Sequence, residues 1–229
     1  EEIDPTSGYW LILNVEEPMD TIIQYIVEAF PTNPDIVYHL NEGNNLISYV
    51  GTDNTGITEA LPDDIEEYIQ GISTAGVATM QLDDGTWIGS LQNWNVLKGY
   101  WVNVDVDGDL STYDIITLSF VNDGLVREKY SATKVNLNNK LPDAFSYVQS
   151  TQQSFYFFDN VMVDGLDIYQ GEWILATNNG TIVGAREWND NFIDVPVMGY
   201  DGYPESAAYC MVGDTPEFKL FRPGTGELI

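Results

Sequence analysis

The chain has 229 residues, 44% of them hydrophobic and 13% aromatic, which is enough to bury one large core or two ordinary ones. Only 8 Lys and Arg stand against 36 Asp and Glu, for a formal net charge of −28. Such a surface repels nucleic-acid phosphates and anionic lipid headgroups, so neither is expected as a partner.

No run of about 18 apolar residues exists to cross a bilayer as a helix. Salt screens the self-repulsion of so many carboxylates, which favours a cation-rich extracellular setting. Cys210 is the single cysteine, so no intrachain disulfide forms, and in "AAYCMV" it reads as a small buried apolar residue.

In chain order, the opening Glu1-Glu2-Ile3 lacks an initiator Met and a signal-peptide pattern, as in a processed or excised piece. "SGYWLILNV" (7–15) alternates like a strand and returns as "KGYWVNVDV" (98–106), where it closes a long unit. Residues 1–15 therefore read as a leading strand resembling the end of a preceding repeat. Its ladder groups and apolar face need a home, either in the same sheet or, through strand 8–15, in neighbouring modules or copies of the same chain. "MDTIIQYIVEAF" (19–30) suggests a helix, although its β-branched residues also suit a strand.

Ile57, Leu61, Ile65, Tyr68, Ile69 and Ile72 predict one amphipathic helix over about 57–71, with Pro62 in its first turn and Gly71 at its stop. Trp87 and Trp101 are expected to lie largely buried beneath it. Period-two alternation in "ISYV" (47–50), "YWVNVDV" (100–106), "IITLSFV" (115–121), "SFYFF" (154–158) and "EWILAT" (172–177) predicts half-buried strands. Breakers such as "DDG", "VNDG", "TNNG" and "RPGTG" separate them, and Asn179-Gly180 is hairpin chemistry.

The expected fold is mainly β, in two consecutive modules. Residues 16–120 form a first module, α+β or sandwich-like. Residues 121–147, which hold Arg127, Lys129, Lys134 and Lys140, form an ordered connector or hairpin. Residues 148–229 form a second module, a β-sandwich. "GTWIGSLQNWN" (85–95) and "GTIVGAREWND" (180–190) echo each other, with Gly89 and Gly184 where another backbone approaches closely.

The set Asn45-Leu46-Ile47-Ser48, Ala60-Leu61-Pro62, "GTWIGSL" (85–91) and Gly99-Tyr100-Trp101 resembles a recurrent β-rich module of large secreted and surface proteins of marine bacteria, and of virion structural proteins of their phages. "FYFFDNVMVDGLDI" (155–168), "GEWILATNNGTIVGAREW" (171–188), "DVPVMGYDG" (194–202) and "GDTPEFKLF" (213–221) resemble a second module of the same kind. The resemblance covers most of the chain and implies a structural or adhesive protein at a cell surface, in a filament or on a virion. Its motifs are packing and turn residues, so it brings no catalytic residue with it.

Nothing in the residues points to catalysis. His39 is the lone histidine, in a strand-like stretch where a structural or solvent-facing role fits. Neither a nucleophile elbow nor a phosphate loop is present. "DVDGDLSTYD" places Asp105, Asp107, Asp109 and Asp114 at spacings that resemble a Ca2+ loop. Its Gly108 and last Asp are displaced from the EF-hand pattern, so a plain Asp107-Gly108 turn is the competing reading and no cofactor is required. Trp94, Trp188, Tyr200 and Tyr203 fall near loops, where aromatic faces stack on sugars, so a surface glycan is the candidate ligand. The two readings are a non-catalytic extracellular structural or adhesive module pair and a carbohydrate-binding module attached to a secreted protein.

Overall fold

The computed structural model describes residue 9 and residues 35–106, 115–121, 142–189 and 192–229, and only the backbone of 115–117. The fold is mainly β. By packing, the chain divides into two compact units that each draw on two stretches of sequence, Glu1–Ile69 with Asn93–Leu125, and Gln70–Gln92 with Val126–Ile229.

The described strands begin with β1 (Tyr38–Asn41), β2 (Gly43–Ser48) and β3 (Thr55–Gly56), followed by single-turn helices α1 (Ile57–Ala60) and α2 (Asp63–Glu66). Then come β4 (Ile69–Thr74), β5 (Val77–Gln81), β6 (Trp87–Gly89), β7 (Asn93–Trp94), β8 (Gly99–Val104) and β9 (Ile115–Leu118). The remainder are β10 (Gln153–Phe158), β11 (Met162–Val163), β12 (Leu166–Asp167), β13 (Trp173–Asn178), β14 (Thr181–Glu187), β15 (Ile193–Met198), β16 (Glu217–Arg222) and β17 (Glu227–Leu228).

The single helix expected over 57–71 is not formed. Pro62 disfavours helical backbone at the residue before it, and Leu61 is extended at φ −84, ψ 136, which ends α1. The chain restarts as α2, where Ile65 and Glu66 donate to the Pro62 carbonyl at 3.0 and 3.1 Å. From Ile69 the same isoleucines serve a strand, with Ile69 and Ile72 buried at 0% and 1% exposure. Spacings of three and four residues satisfied the helical template while the β-branched side chains suited the strand. The 19–30 helix and strand 8–15 lie outside the described residues, apart from Tyr9, which is 58% exposed.

The first unit is built on antiparallel ladders. β1 pairs β9, β2 pairs β8 and β3 pairs β7. Its core centres on Trp94, which is 0% exposed. That ring stacks on Tyr49 at 5.4 Å and meets Tyr100 and Phe120 edge-on at 4.6 and 4.9 Å. The indole N–H donates to the Ile57 carbonyl at 3.2 Å, so burying it leaves no orphan donor. Leu61, Ile65, Val102, Val104 and Leu118 complete the core. Trp101, expected to be buried, is half-buried, because the alternation of β8 turns Tyr100 and Val102 inward. His39 is exposed on β1.

In the second unit, β14, β13, β16 and β17 form an antiparallel sheet in that order. The β13–β14 turn is Asn179-Gly180, at φ 48 and 83, as the sequence predicts. Asp164-Gly165 makes the same kind of turn between β11 and β12, at φ 53 and 79. β10 pairs β15, with Ser154 opposite Val197 and Tyr156 opposite Val195. Ile174 and Ala176 of β13, Val183 of β14 and Leu220 of β16 pack with Ile193, Val195 and Val197 of β15 in one core, together with Trp188 and Tyr209. Each large aliphatic side chain buried there contributes about 1.5–3 kcal/mol.

β4, β5 and β6 form an antiparallel meander in the same unit. Trp87, also expected to be buried, is half-buried there, while its neighbour Ile88 is buried. The opposite face of β15 meets this meander through Asp194, which is 0% exposed. One carboxylate oxygen accepts from the Ser90 amide at 2.6 Å, and the other from the Ala78 amide at 3.0 Å and from Arg186 Nη2 at 2.8 Å. Arg186 also donates to the Gly76 carbonyl at 2.6 Å and to the Asp194 carbonyl at 2.7 Å.

Both glycines of the sequence echo sit against foreign backbone. A Cβ on Gly89 would overlap the Ala78 carbonyl oxygen, and one on Gly184 would overlap that of Pro196. The close backbone approach expected at both positions is therefore present.

Candidate functional site

The four aromatic residues proposed for glycan stacking separate into two classes. Trp94 is sealed in the first unit's core. Trp188 is 5% exposed in the second, its amide donating to the Glu172 carbonyl at 2.7 Å. Neither offers a face to a sugar, and their nearness to turns in sequence did not imply exposure. Tyr200 and Tyr203 are exposed, at 41% and 45%, on the loop after β15.

Of the four proposed Ca2+ ligands, Asp105 alone is a described residue. Asp105 is an exposed residue whose amide donates to the Tyr68 carbonyl at 2.9 Å. Asp107, Asp109 and Asp114 lie outside the described residues. Among those described, no group of three or more His, Cys, Asp or Glu side chains is arranged to hold a metal.

The concave feature of interest is a cleft of about 430 Å3 in the second unit. Its floor is the face of the β10–β15 ladder that carries Gln152, Ser154, Tyr156 and Val197, and its opposite wall is the turn Met211–Asp214. Strand alternation produces the floor. Ser154 and Tyr156 project on one side of β10, so a "SFYFF" stretch presents a hydroxyl and a phenol two residues apart. Tyr156 is 38% exposed and its ring is fixed edge-on to Phe218 at 5.1 Å.

Local hydrogen bonds hold the wall. The Met211 amide donates to Asp214 Oδ2 at 2.8 Å, and the Asp214 amide to the Met211 carbonyl at 3.0 Å. Gly213 supplies the left-handed backbone at φ 99. The turn is tied to the floor, since the Tyr200 amide donates to the Cys210 carbonyl at 2.9 Å and the Gly199 amide to the Gln152 carbonyl at 2.7 Å. Its tip carries Met211 and Val212, exposed at 57% and 107%.

Asp201 braces the loop that bears Tyr200 and Tyr203. It accepts from the Ser206 hydroxyl at 2.6 Å, the Thr151 amide at 3.1 Å and the Tyr203 amide at 3.4 Å. Burial works against its charge, yet these donors outweigh burial and hold its carboxyl below the usual range. Cys210, expected to be buried, is half-buried and lines the cleft. Burial, then the Asp214 charge, pushes its thiol up, so it stays a protonated and weakly nucleophilic wall residue.

Of the described residues the sequence singled out as ligands, Tyr200 alone lines the cleft. Tyr156, Gln152, Ser154 and Asp214 were missed. The outward phase of Tyr156 was readable from the alternation of "SFYFF", but its meeting with the "MVGD" turn depends on tertiary packing. No family model, curated protein or solved structure matches the chain.

Proposed function

We propose that the chain is a non-catalytic structural or adhesive module pair of a repetitive surface, filament or virion protein that works outside the cell. The observation that supports this reading is the use of buried charge. Asp194 has both carboxylate oxygens engaged by backbone amides and Arg186, and Glu172 is bonded to Arg222 at 2.9 Å and to the Tyr169 amide at 3.0 Å. Carboxylates held in this way fasten strands and loops, whereas a general acid or base needs an oxygen turned toward a substrate. The net charge of −28 agrees with a salt-rich medium.

The proposed partners are neighbouring modules or further copies of the chain, joined through strand 8–15. Sedimentation and electron microscopy across a concentration series test this. Head-to-tail association that is abolished by the Leu11→Lys, Leu13→Lys double variant is the expected result. A chain that stays monomeric throughout the series would remove the assembly part of the proposal.

A carbohydrate-binding module is the second reading, and the exposure of Tyr200 and Tyr203 favours it. Calorimetric titration with a panel of glycans separates the two, because saturable heat belongs to the second alone.

A further inference from the structure

Around the cleft, several polar groups face outward with no hydrogen-bond partner among the described residues. They are the Gln152 side-chain amide, the Ser154 hydroxyl, the Tyr156 and Tyr200 phenols, and the second oxygen of Asp214. We infer that this cleft is a binding site for a neutral oligosaccharide, with the Tyr156 and Tyr200 rings as stacking surfaces and Gln152, Ser154 and Asp214 as the hydroxyl-reading groups. The inference rests on the carbohydrate-binding reading and gives it a location.

The choice of ligand follows from the chemistry of the walls. A sugar hydroxyl is both donor and acceptor, and the cleft supplies both kinds: amide and hydroxyl donors, with carbonyl, phenol and carboxylate acceptors. The C–H face of a pyranose is apolar and matches an exposed phenol ring. The volume of about 430 Å3 falls within the range of roughly 300–1,000 Å3 usual for small-ligand clefts. A formal charge of −28 disfavours a sulfated or uronic-acid chain.

A peptide strand fits less well. Strand addition uses the hydrogen-bonding edge of a sheet, whereas this cleft opens on the face of the β10–β15 ladder, where backbone N–H and C=O groups lie in the plane of the sheet. Recognition here must come from side chains. The floor and wall are already tied through Gly199–Gln152 and Tyr200–Cys210, so little ordering is needed on binding.

The test is a backbone-amide NMR titration of the full chain with maltohexaose, cellohexaose and laminarihexaose, with trigalacturonate and an unstructured hexapeptide as contrasts. The expected result is saturable perturbation confined to 152–156, 199–200 and 210–214 with at least one neutral sugar. Tyr156→Ala should weaken that binding about tenfold, which corresponds to one lost ring contact. Because Tyr156 also packs on Phe218, Tyr200→Ser is the second variant, and it should weaken binding at an unchanged melting temperature. Sugar binding that perturbs other residues keeps the carbohydrate reading and overturns this site. Preference for the trigalacturonate at the cleft keeps the carbohydrate reading and overturns the neutral ligand, whereas absence of binding to every sugar, or preference for the hexapeptide, overturns both.

Discussion

The first unit closes around Trp94, whose ring meets Tyr49, Tyr100 and Phe120, whereas the second closes around aliphatic side chains and ties its strands with the buried carboxylate of Asp194. The difference follows from how the strands are covered. β8 alternates buried and half-buried residues, so its pattern alone fixes which face turns inward. β15 is buried at all its positions, Ile193 through Met198, and apolar pattern cannot tell its faces apart. Asp194 does so. A slip of one residue would carry its charge into the cluster of Ile174, Val183 and Leu220, where nothing pairs with it.

The comparison is broken most severely by removing the ring. Trp94→Ala deletes the largest fully buried side chain of the first unit and leaves a cavity, at a cost of about 3–5 kcal/mol. Urea unfolding followed by circular dichroism measures it. A loss below about 1 kcal/mol would show that the aromatic cluster does not hold the unit together.

In the second unit the matching change is Asp194→Asn, which keeps shape and removes charge. An amide nitrogen must then face the Ser90 amide, or else the Ala78 amide and Arg186, so at least one accepted hydrogen bond is replaced by donor–donor repulsion. The expected cost is about 2–3 kcal/mol by the same unfolding measurement. Replacing both partners, as in Asp194→Asn with Arg186→Met, should cost less than the sum of the single changes, since no unpaired guanidinium remains. Strict additivity would mean that the two side chains do not act as one network.

These two centres differ in how far the sequence exposed them. Period-two alternation announced a mainly β fold, and Asn179-Gly180 announced its hairpin, because turn chemistry is local. Alternation did not give the phase. An inward phase is expected for Trp87 and Trp101, yet Ile88 and Tyr100 occupy the inward positions. Pro62 suits a first helical turn, although its stronger effect is on Leu61 before it. One signal was available for Asp194. It is the acidic residue in "IDVPVM", which otherwise reads as an unbroken apolar run, and a charge there must find a partner or leave the core. Its partners, Ala78, Ser90 and Arg186, are scattered along the chain and no spacing rule joins them. The cleft was hidden for the same reason.

A smaller effect distinguishes the aromatic centre by pH. Burial pushes the Tyr100 phenol up to about 12 from its ordinary 10.0, against the hydrogen bond with Asn95. The folded chain then keeps a proton that the unfolded chain has lost. This contribution is fully present below pH 10 and disappears as pH rises from 10 towards 12. Melting temperatures across that window should fall less steeply in Tyr100→Phe than in the parent chain. An identical slope would remove Tyr100 as a source of alkaline instability.

The smallest effect concerns turns. The second unit places Asn179, Asp164 and glycines where its hairpins need left-handed backbone, residue types that tolerate it. The first unit places Leu97 there, at φ 62, between β7 and β8. A leucine in that region carries about 1–2 kcal/mol of steric cost, and at 94% exposure it recovers none through packing. The turn is held instead by its neighbours, with Asp53 accepting from the Val96 amide at 3.0 Å. Leu97→Asn should therefore stabilise the unit by about 0.5–1 kcal/mol, since asparagine relieves most of the clash. Leu97→Gly should gain less, because glycine also frees the unfolded chain. Both are read as shifts in urea midpoint at constant slope. If Leu97→Asn lowers the midpoint, the leucine has a partner in solution, and the turn is a contact site as well as a connector.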